Sequence, residues 1–355
     1  MANAKRSSSP AKVSDIKEMF FKDEYKNHCI FLELLTRKGI AANNRSESLG
    51  NIMPLQKLSD GEGNKRALVG GSAIQNGMRE TCRRKHPRLL NRERVSDETE
   101  LMVVYTEPGM HDPNRYWDDC ERGYLIAASK AKWRDMKKKH PDLKIKRQAL
   151  WNLSPAISTT YCHGETVLAQ SPLTRYKEED SNDGGKKNKK DTHRNSETSG
   201  LRQDEVLITT FSWHADSSLA SHSTPSQVFF FKTTLKDIIP ELSNVAGNHA
   251  RYSYDFSPGS VVCRLCRRTS QMFGGNGWKV ENIGPCFGDY KVSYPELQKL
   301  IIEEPEYYPG SEFFFGGEVV GSMDSDLRSQ FEELGVTCCV SVESMMNAIL
   351  GRVIE

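Results

Sequence analysis

Gly70-Gly71-Ser72-Ala73-Ile74-Gln75-Asn76-Gly77-Met78-Arg79-Glu80-Thr81-Cys82-Arg83-Arg84-Lys85 reads as a glycine turn opening onto a short helix that ends in a basic cluster. Ser72 is expected to act as the N-cap, accepting a hydrogen bond from a first-turn N–H, while Gly70 and Gly71 leave room for a polynucleotide backbone. Ile74, Met78 and Cys82 recur at helical spacing and predict a core-facing stripe. Gln75, Arg79, Arg83 and Lys85 are left for other faces.

Upstream of this helix, His28-Cys29-Ile30-Phe31-Leu32-Glu33-Leu34-Leu35-Thr36 is an apolar, β-compatible run that predicts a central strand. The polar stretch from Ala42 to Lys65 predicts a long loop whose Asn43, Asn44 and Arg45 offer amide and guanidinium donors to phosphates. Downstream, Leu101 to Thr106 is a second strand candidate, followed by a helix-rich insertion. The segment 176–200 has almost no apolar residue and predicts a mobile charged tip. On either side of it, Ala149 to Tyr161 and Glu205 to Trp213 regain β character, as in a long hairpin. Val228 to Phe231 predicts a strand and Leu235 to Val245 a helical segment. Two short strands are expected around Ser257-Pro258-Gly259. Near the end come a Phe313-Phe314-Phe315 strand, a helix from Asp326 to Leu334, a strand from Val336 to Val340 and a helix through Met345 to Val353.

The 355 residues allow one elaborated domain or two ordinary ones, and the strand–helix alternation predicts α/β or α+β packing. No apolar run reaches the ~18 residues of a membrane span, and residues 1–10 carry no secretory core, so a cytoplasmic protein without membrane contact is expected. Nine cysteines, an odd number, fit reduced core thiols better than a disulfide framework. The formal net charge of +2 hides two basic blocks, Arg79 to Arg94 and Lys130 to Arg147, which point to nucleic acid.

Catalytic and metal signals are sparse. Cys263-x-x-Cys266 has zinc-ligand spacing but no second pair, so core cysteines are the expectation. Asp118-Asp119, with His111 and Asp112 nearby, could be a metal-binding carboxylate cluster or capping groups. Gly274-Gly275-Asn276-Gly277 lacks the Lys-Ser/Thr of a phosphate loop, and Arg251-Tyr252-Ser253-Tyr254 could stack bases. No cofactor is expected.

Taken in order, several motifs resemble the backbone subunit of the type I CRISPR Cascade complex, of the RAMP superfamily and closest to its I-B-like DevR branch. They are the strand into Thr36; Asn43-Asn44-Arg45 with Gly50-Asn51; Ser72, Ile74 and Arg79-Glu80; Asp118-Asp119 with Gly123-Tyr124-Leu125; Arg147; Leu153-Ser154-Pro155-Ala156-Ile157-Ser158-Thr159; Gly247-Asn248-His249-Ala250-Arg251; and Ser257-Pro258. The resemblance implies an α+β protein with a ferredoxin-like (RRM-like) palm, a helical finger insertion and a β-hairpin thumb. Residues 1–94 would be the first part of the palm, with the basic helix. The finger would be 95–146, the thumb 147–213 with its mobile tip at 176–200, and 214–355 the second part of the palm and a C-terminal extension.

It further implies a non-catalytic protein that oligomerises along a CRISPR RNA, joins other Cascade subunits and presents the spacer to target DNA. The guide-RNA contacts carried over are Asn43, Asn44, Arg45, Ser72, Gln75, Arg79, Arg83, Arg147, Thr159, Thr160 and Arg251. The alternative is a RAMP-type endoribonuclease cutting target RNA with a loop aspartate, Asp60 or Asp118.

Overall fold

The computed structural model describes residues 18–37, 57–59, 64–96, 101–105, 111–126, 129–139, 141, 144–161, 166–170, 197–201, 210–242, 255–267 and 310–355. Gly50-Asn51, Asp60, 247–251, the 271–278 glycine loop, Tyr252, Tyr254 and most of the charged tract 176–200 lie outside these residues.

The run His28–Thr36 forms β1, the centre of a nine-stranded, mostly antiparallel sheet. β1 pairs on one side with β12 (Phe211–Ser218) and on the other with β13 (Pro258–Arg267). Beyond β13 lie β14 (Ser311–Gly317) and, joined in parallel, β15 (Thr337–Cys339). Beyond β12 lie β8 (Trp151–Leu153) and β9 (Ala156–Ser158), and β9 leads to β3 (Lys65–Val69) and β2 (Lys57–Ser59). Three two-stranded ribbons stand apart: β4 (Arg92–Ser96) with β5 (Leu101–Tyr105), β6 (Tyr124–Leu125) with β7 (Lys146–Arg147), and β10 (Thr166–Gln170) with β11 (Glu197–Leu201). The strand expected at 101–106 thus forms, but in a side ribbon.

β1 reads as a continuous apolar run because both of its faces are covered, so alternation carries no polar signal. Ile30, Leu32 and Leu34 face the main core with Trp213, Ala215, Val261 and Leu265. That face is covered by α1 (Gly71–Lys85), α4 (Pro225–Thr233), the π-turn Thr234–Ile238 and α7 (Val342–Val353). Cys29, Phe31 and Leu35 point the other way, into a second cluster closed by α5 (Glu318–Gly321) and α6 (Ser325–Glu333). A Cβ at Gly316 would lie 2.6 Å from that of Met345, so glycine lets α7 lie close on β14.

Two local readings are corrected. Val228 to Phe231 is helical: Thr224 caps α4, its hydroxyl accepting from the Gln227 N–H, and Pro225 supplies a helix-ready φ. Pro258 and Gly259 open the long strand β13 instead of forming a turn, and the Ser257 carbonyl accepts from the Arg37 N–H beside the bulge at Leu35/Thr36. Among the described residues no helix is long and apolar enough to cross a membrane.

Candidate nucleic-acid interface

α1 follows β3 with only Gly70 between them, and this fixes its start. Gly70, in extended backbone, is the N-cap residue, without a side-chain bond, and its carbonyl accepts from the Ala73 N–H at 2.9 Å. Ser72 is therefore not the cap but an exposed first-turn residue. Gly71 also serves a purpose other than the expected one. Its missing Cβ would lie 2.9 Å from the Leu153 carbonyl oxygen, so the close approach is to the chain's own β8. Gly70, by contrast, faces only Ser72 Oγ at 3.7 Å.

Ile74, Met78 and Cys82 are fully buried, as the spacing predicts. Burial pushes the Cys82 thiol well above its ordinary range, which makes it a packing group. At about 100° per residue, Ser72, Gln75, Arg79 and Arg83 fall within one sector of about 80° that borders the apolar face, Ser72 exposed and the other three half-buried. The C-terminal half of the helix is partly neutralised from within the fold. Arg83 pairs with Glu80, Lys85 with Glu241, and His86 Nε2 lies 3.1 Å from Asp237 Oδ2.

Thr159 and Thr160 lie at the far end of β9. Gly70 and Arg66 mark the two places along β3, and the strand rise separates them by about 13 Å. The Thr159 N–H donates to the Thr210 carbonyl at 2.9 Å and the two threonine hydroxyls lie 2.9 Å apart, while the Thr160 side chain is exposed. Arg147 sits on the separate ribbon β6–β7 opposite Tyr124, close enough to Cys120 to favour its thiolate against the effect of burial. The fold thus gathers Ser72, Gln75, Arg79 and Arg83, sets Thr159 and Thr160 apart, and holds Arg147 on another element. Asn43, Asn44, Arg45 and Arg251 lie outside the described residues.

The carboxylates expected at 118–119 are buried on the one-turn helix α2 (Trp117–Glu121) and hold the fold together. Asp118 Oδ1 accepts from the Asn91 N–H at 2.8 Å. Asp119 Oδ2 accepts from Asn91 Nδ2 at 2.9 Å and the Asp112 N–H at 3.1 Å, and its Oδ1 lies 3.1 Å from His111 Nδ1. Cys263 and Cys266, three apart on a strand, point to opposite sheet faces and belong to different core clusters, so they cannot share an ion. Among the described residues no group of three or more His, Cys, Asp or Glu could hold a metal.

No protein-family model matches the chain. Over 248 residues it is 27% identical to the CRISPR-associated protein Cas7/Cst2/DevR of Myxococcus xanthus (strain DK1622), spanning 68% of this chain and 73% of that protein. The chain is a relative of Cas7/Cst2/DevR. In three dimensions it is similar to a chain of a CRISPR RNA-guided surveillance complex at a TM-score of 0.45 and 10% identity, over 91% of this chain and 98% of that one. A pre-nicking CRISPR RNA-guided surveillance complex gives 0.46 at 10% identity, over 91% and 99%.

Nothing in the residue pattern singled out Arg66. Its guanidinium donates from one nitrogen to the carbonyls of Ser158 (2.9 Å) and Thr159 (2.7 Å), and it lies 4.4 Å from the ring centroid of the exposed Tyr161. Arg66 thereby fixes the β9 end of this Cas7/Cst2/DevR relative. An arginine in a strand carries no signal of that role until the β3–β9 register is known.

Proposed function

We propose that this chain is a backbone subunit of a CRISPR RNA-guided surveillance complex. It grips the CRISPR RNA through phosphate and sugar, associates with copies of itself and other Cascade subunits along that RNA, and leaves the spacer bases exposed for pairing with target DNA. The observation that carries the reading is the kinship with Cas7/Cst2/DevR. Beside it stands the single stripe of hydroxyl, amide and guanidinium donors on α1, a donor set suited to phosphate. Thr159, Thr160, Arg147 and, outside the described residues, Asn43, Asn44, Arg45 and Arg251 complete the proposed groove.

The ferredoxin-like palm is supported by the order β13-β1-β12-β9, with α1 in the chain between β1 and β9 and α4 between β12 and β13, a βαββαβ succession. In this reading 95–146 is the finger and 147–213 the thumb, whose flanks β8/β9 and β12 pair antiparallel. Of the two aspartates of the endoribonuclease alternative, Asp118 is fully buried and hydrogen-bonded to the Asn91 N–H, which disfavours it as a group facing a phosphodiester, and Asp60 lies outside the described residues.

Co-expression with a repeat-spacer-repeat RNA tests this. The expected result is co-elution of the chain as a multimer with RNA protected at regular intervals. An RNA-free monomer that stays so when the partner subunits are supplied would overturn the reading.

A further inference from the structure

The register of the central strands brings two cysteines together. Cys29, at the start of β1, stands directly opposite Cys266, at the end of β13. Alternation along both strands sends the pair to one sheet face, and both belong to the second core cluster with Phe31 and Phe313. Residues directly opposed in an antiparallel ladder have Cα atoms about 4.5–5.5 Å apart, inside the window of about 4.4–6.8 Å that a disulfide accepts. No other two cysteines among the described residues are placed in this way. Cys263 belongs to the opposite face, Cys82 lies on α1 and Cys120 on α2. Cys338 and Cys339, adjacent on β15, pack into different clusters.

The two thiols differ in access and in surroundings. Cys266 has no exposed surface, whereas Cys29 keeps 9% of its own. Burial pushes the Cys266 thiol up to about 11, and the neighbouring Cys29 adds to that rise, while the Arg264 guanidinium and the Ser311 hydroxyl favour the thiolate. Arg264 is itself buried, on the same face two residues before Cys266, and its Nε donates to Ser311 Oγ at 2.8 Å. A cation held beside a thiol is the arrangement that promotes thiolate chemistry in an otherwise apolar site.

We infer that Cys29 and Cys266 form a redox couple, a dithiol that hydrogen peroxide closes to a cross-strand disulfide stapling β1 to β13. The Cys29 thiolate attacks one peroxide oxygen. The O–O bond breaks, the departing hydroxide takes up a proton as water, and Cys29 becomes a sulfenic acid. The Cys266 sulfur then attacks the Cys29 sulfur, forming the S–S bond and breaking S–O. The second oxygen leaves as water with the Cys266 proton. Two thiols together lose two electrons, and one peroxide becomes two waters. The strands already hold the required register, so closure asks for no new pairing. The staple closes the chain from residue 29 to residue 266, most of its length, and so restricts the unfolded state far more than the folded one. The inference goes beyond the guide-RNA reading and does not rest on it.

The test exposes the reduced, folded full chain to hydrogen peroxide, alkylates it, digests it without reductant and maps the peptides by mass spectrometry. A peptide joining Cys29 to Cys266 should appear, two hydrogens lighter than its parts, and dithiothreitol should abolish it. The urea midpoint of the oxidised chain should rise and return to its starting value on reduction. Cys29→Ala removes the more accessible thiol and keeps the core apolar; in that variant peroxide should leave the midpoint no higher. Recovery of both cysteines as alkylated thiols would overturn the inference. So would their recovery as sulfinic or sulfonic acids without a link, or links that join them chiefly to other cysteines. A joined peptide that forms only in the urea-unfolded chain would overturn it as well.

Discussion

Glu33 and His214 stand directly opposite each other on the antiparallel strands β1 and β12, and both side chains are buried. Glu33 Oε1 accepts from Ser212 Oγ at 3.2 Å, whereas Oε2 has no hydrogen-bond partner. Burial pushes the Glu33 carboxyl up to about 8, against which the Ser212 hydroxyl acts only weakly, and pushes His214 down to about 4. The folded protein therefore holds both groups neutral between these values, the way a dry sheet face tolerates them.

The pH dependence follows with opposite signs. Above about 4.5 the unfolded chain has lost the Glu33 proton that the native state keeps, so stability falls as pH rises toward about 8. Below about 6.5 the unfolded chain gains a His214 proton that the native state refuses until about 4, so stability falls as pH drops through that window. Glu33→Gln should abolish much of the alkaline decline, raising stability near pH 8.5 by about 2–3 kcal/mol relative to its effect near pH 6. Urea midpoints at the two pH values measure this, and an unchanged alkaline limb in the variant would place its origin elsewhere.

Gly71→Ala should destabilise by about 1–3 kcal/mol, because its methyl group meets the Leu153 carbonyl, a backbone atom that cannot rotate away. Gly70→Ala, in extended backbone with open space, should stay within about 0.5 kcal/mol. Chemical denaturation of the pair separates close packing on β8 from a general need for glycine; equal costs would refute the distinction.

Removal of the Arg66 guanidinium leaves two strand-end carbonyls without their charged donor. Arg66→Ala should cost about 1–2 kcal/mol and speed amide exchange locally at Thr159 to Tyr161, while α7 exchanges as before. Exchange mass spectrometry reads this directly. Uniform acceleration across the chain would mean the residue acts globally.

The His222 and Glu121 side chains meet with no solvent exposure, Nε2 to Oε1 at 3.1 Å, a contact that joins α2 to the turn after β12. His222→Ala should cost about 3–5 kcal/mol, since it leaves the buried Glu121 carboxyl group without its imidazole partner, and the further change Glu121→Gln should restore part of that loss. A double variant no more stable than the single one would show that the cost is cavity formation.

On α1, Arg79→Ala and Arg83→Ala together should weaken RNA binding to a similar degree for every spacer sequence and lower the salt slope by about 0.7 for each phosphate no longer neutralised. Sequence-dependent losses in filter binding would contradict a grip on the backbone.

Local structure was legible wherever a local cause sufficed. The 74/78/82 spacing announced a helix through its periodicity, and the apolar runs His28–Thr36 and Phe313 to Phe315 announced strands through their length and β-compatible composition. Val228 to Phe231 misled because four consecutive apolar residues have no period; the Thr224-Pro225 start signal and burial against the main core decide for helix. In the candidate site, the α1 stripe could be read from helical geometry alone, whereas Arg66 could not, since its partners lie more than ninety residues away.

The sequence by itself determined that this is a chain of mixed helices and strands with two basic blocks, because composition and short-range periodicity are properties of neighbours along the chain. Only the tertiary structure decided which block keeps its charge. Asp237 and Glu241 reach the end of α1 from over 150 residues downstream, while no carboxylate among the described residues reaches Lys130, Arg134 or Lys138 on α3 (Lys130–Lys139). Coulombic compensation depends on distance through space, and that distance is set by the sheet register and by the helices folded over it.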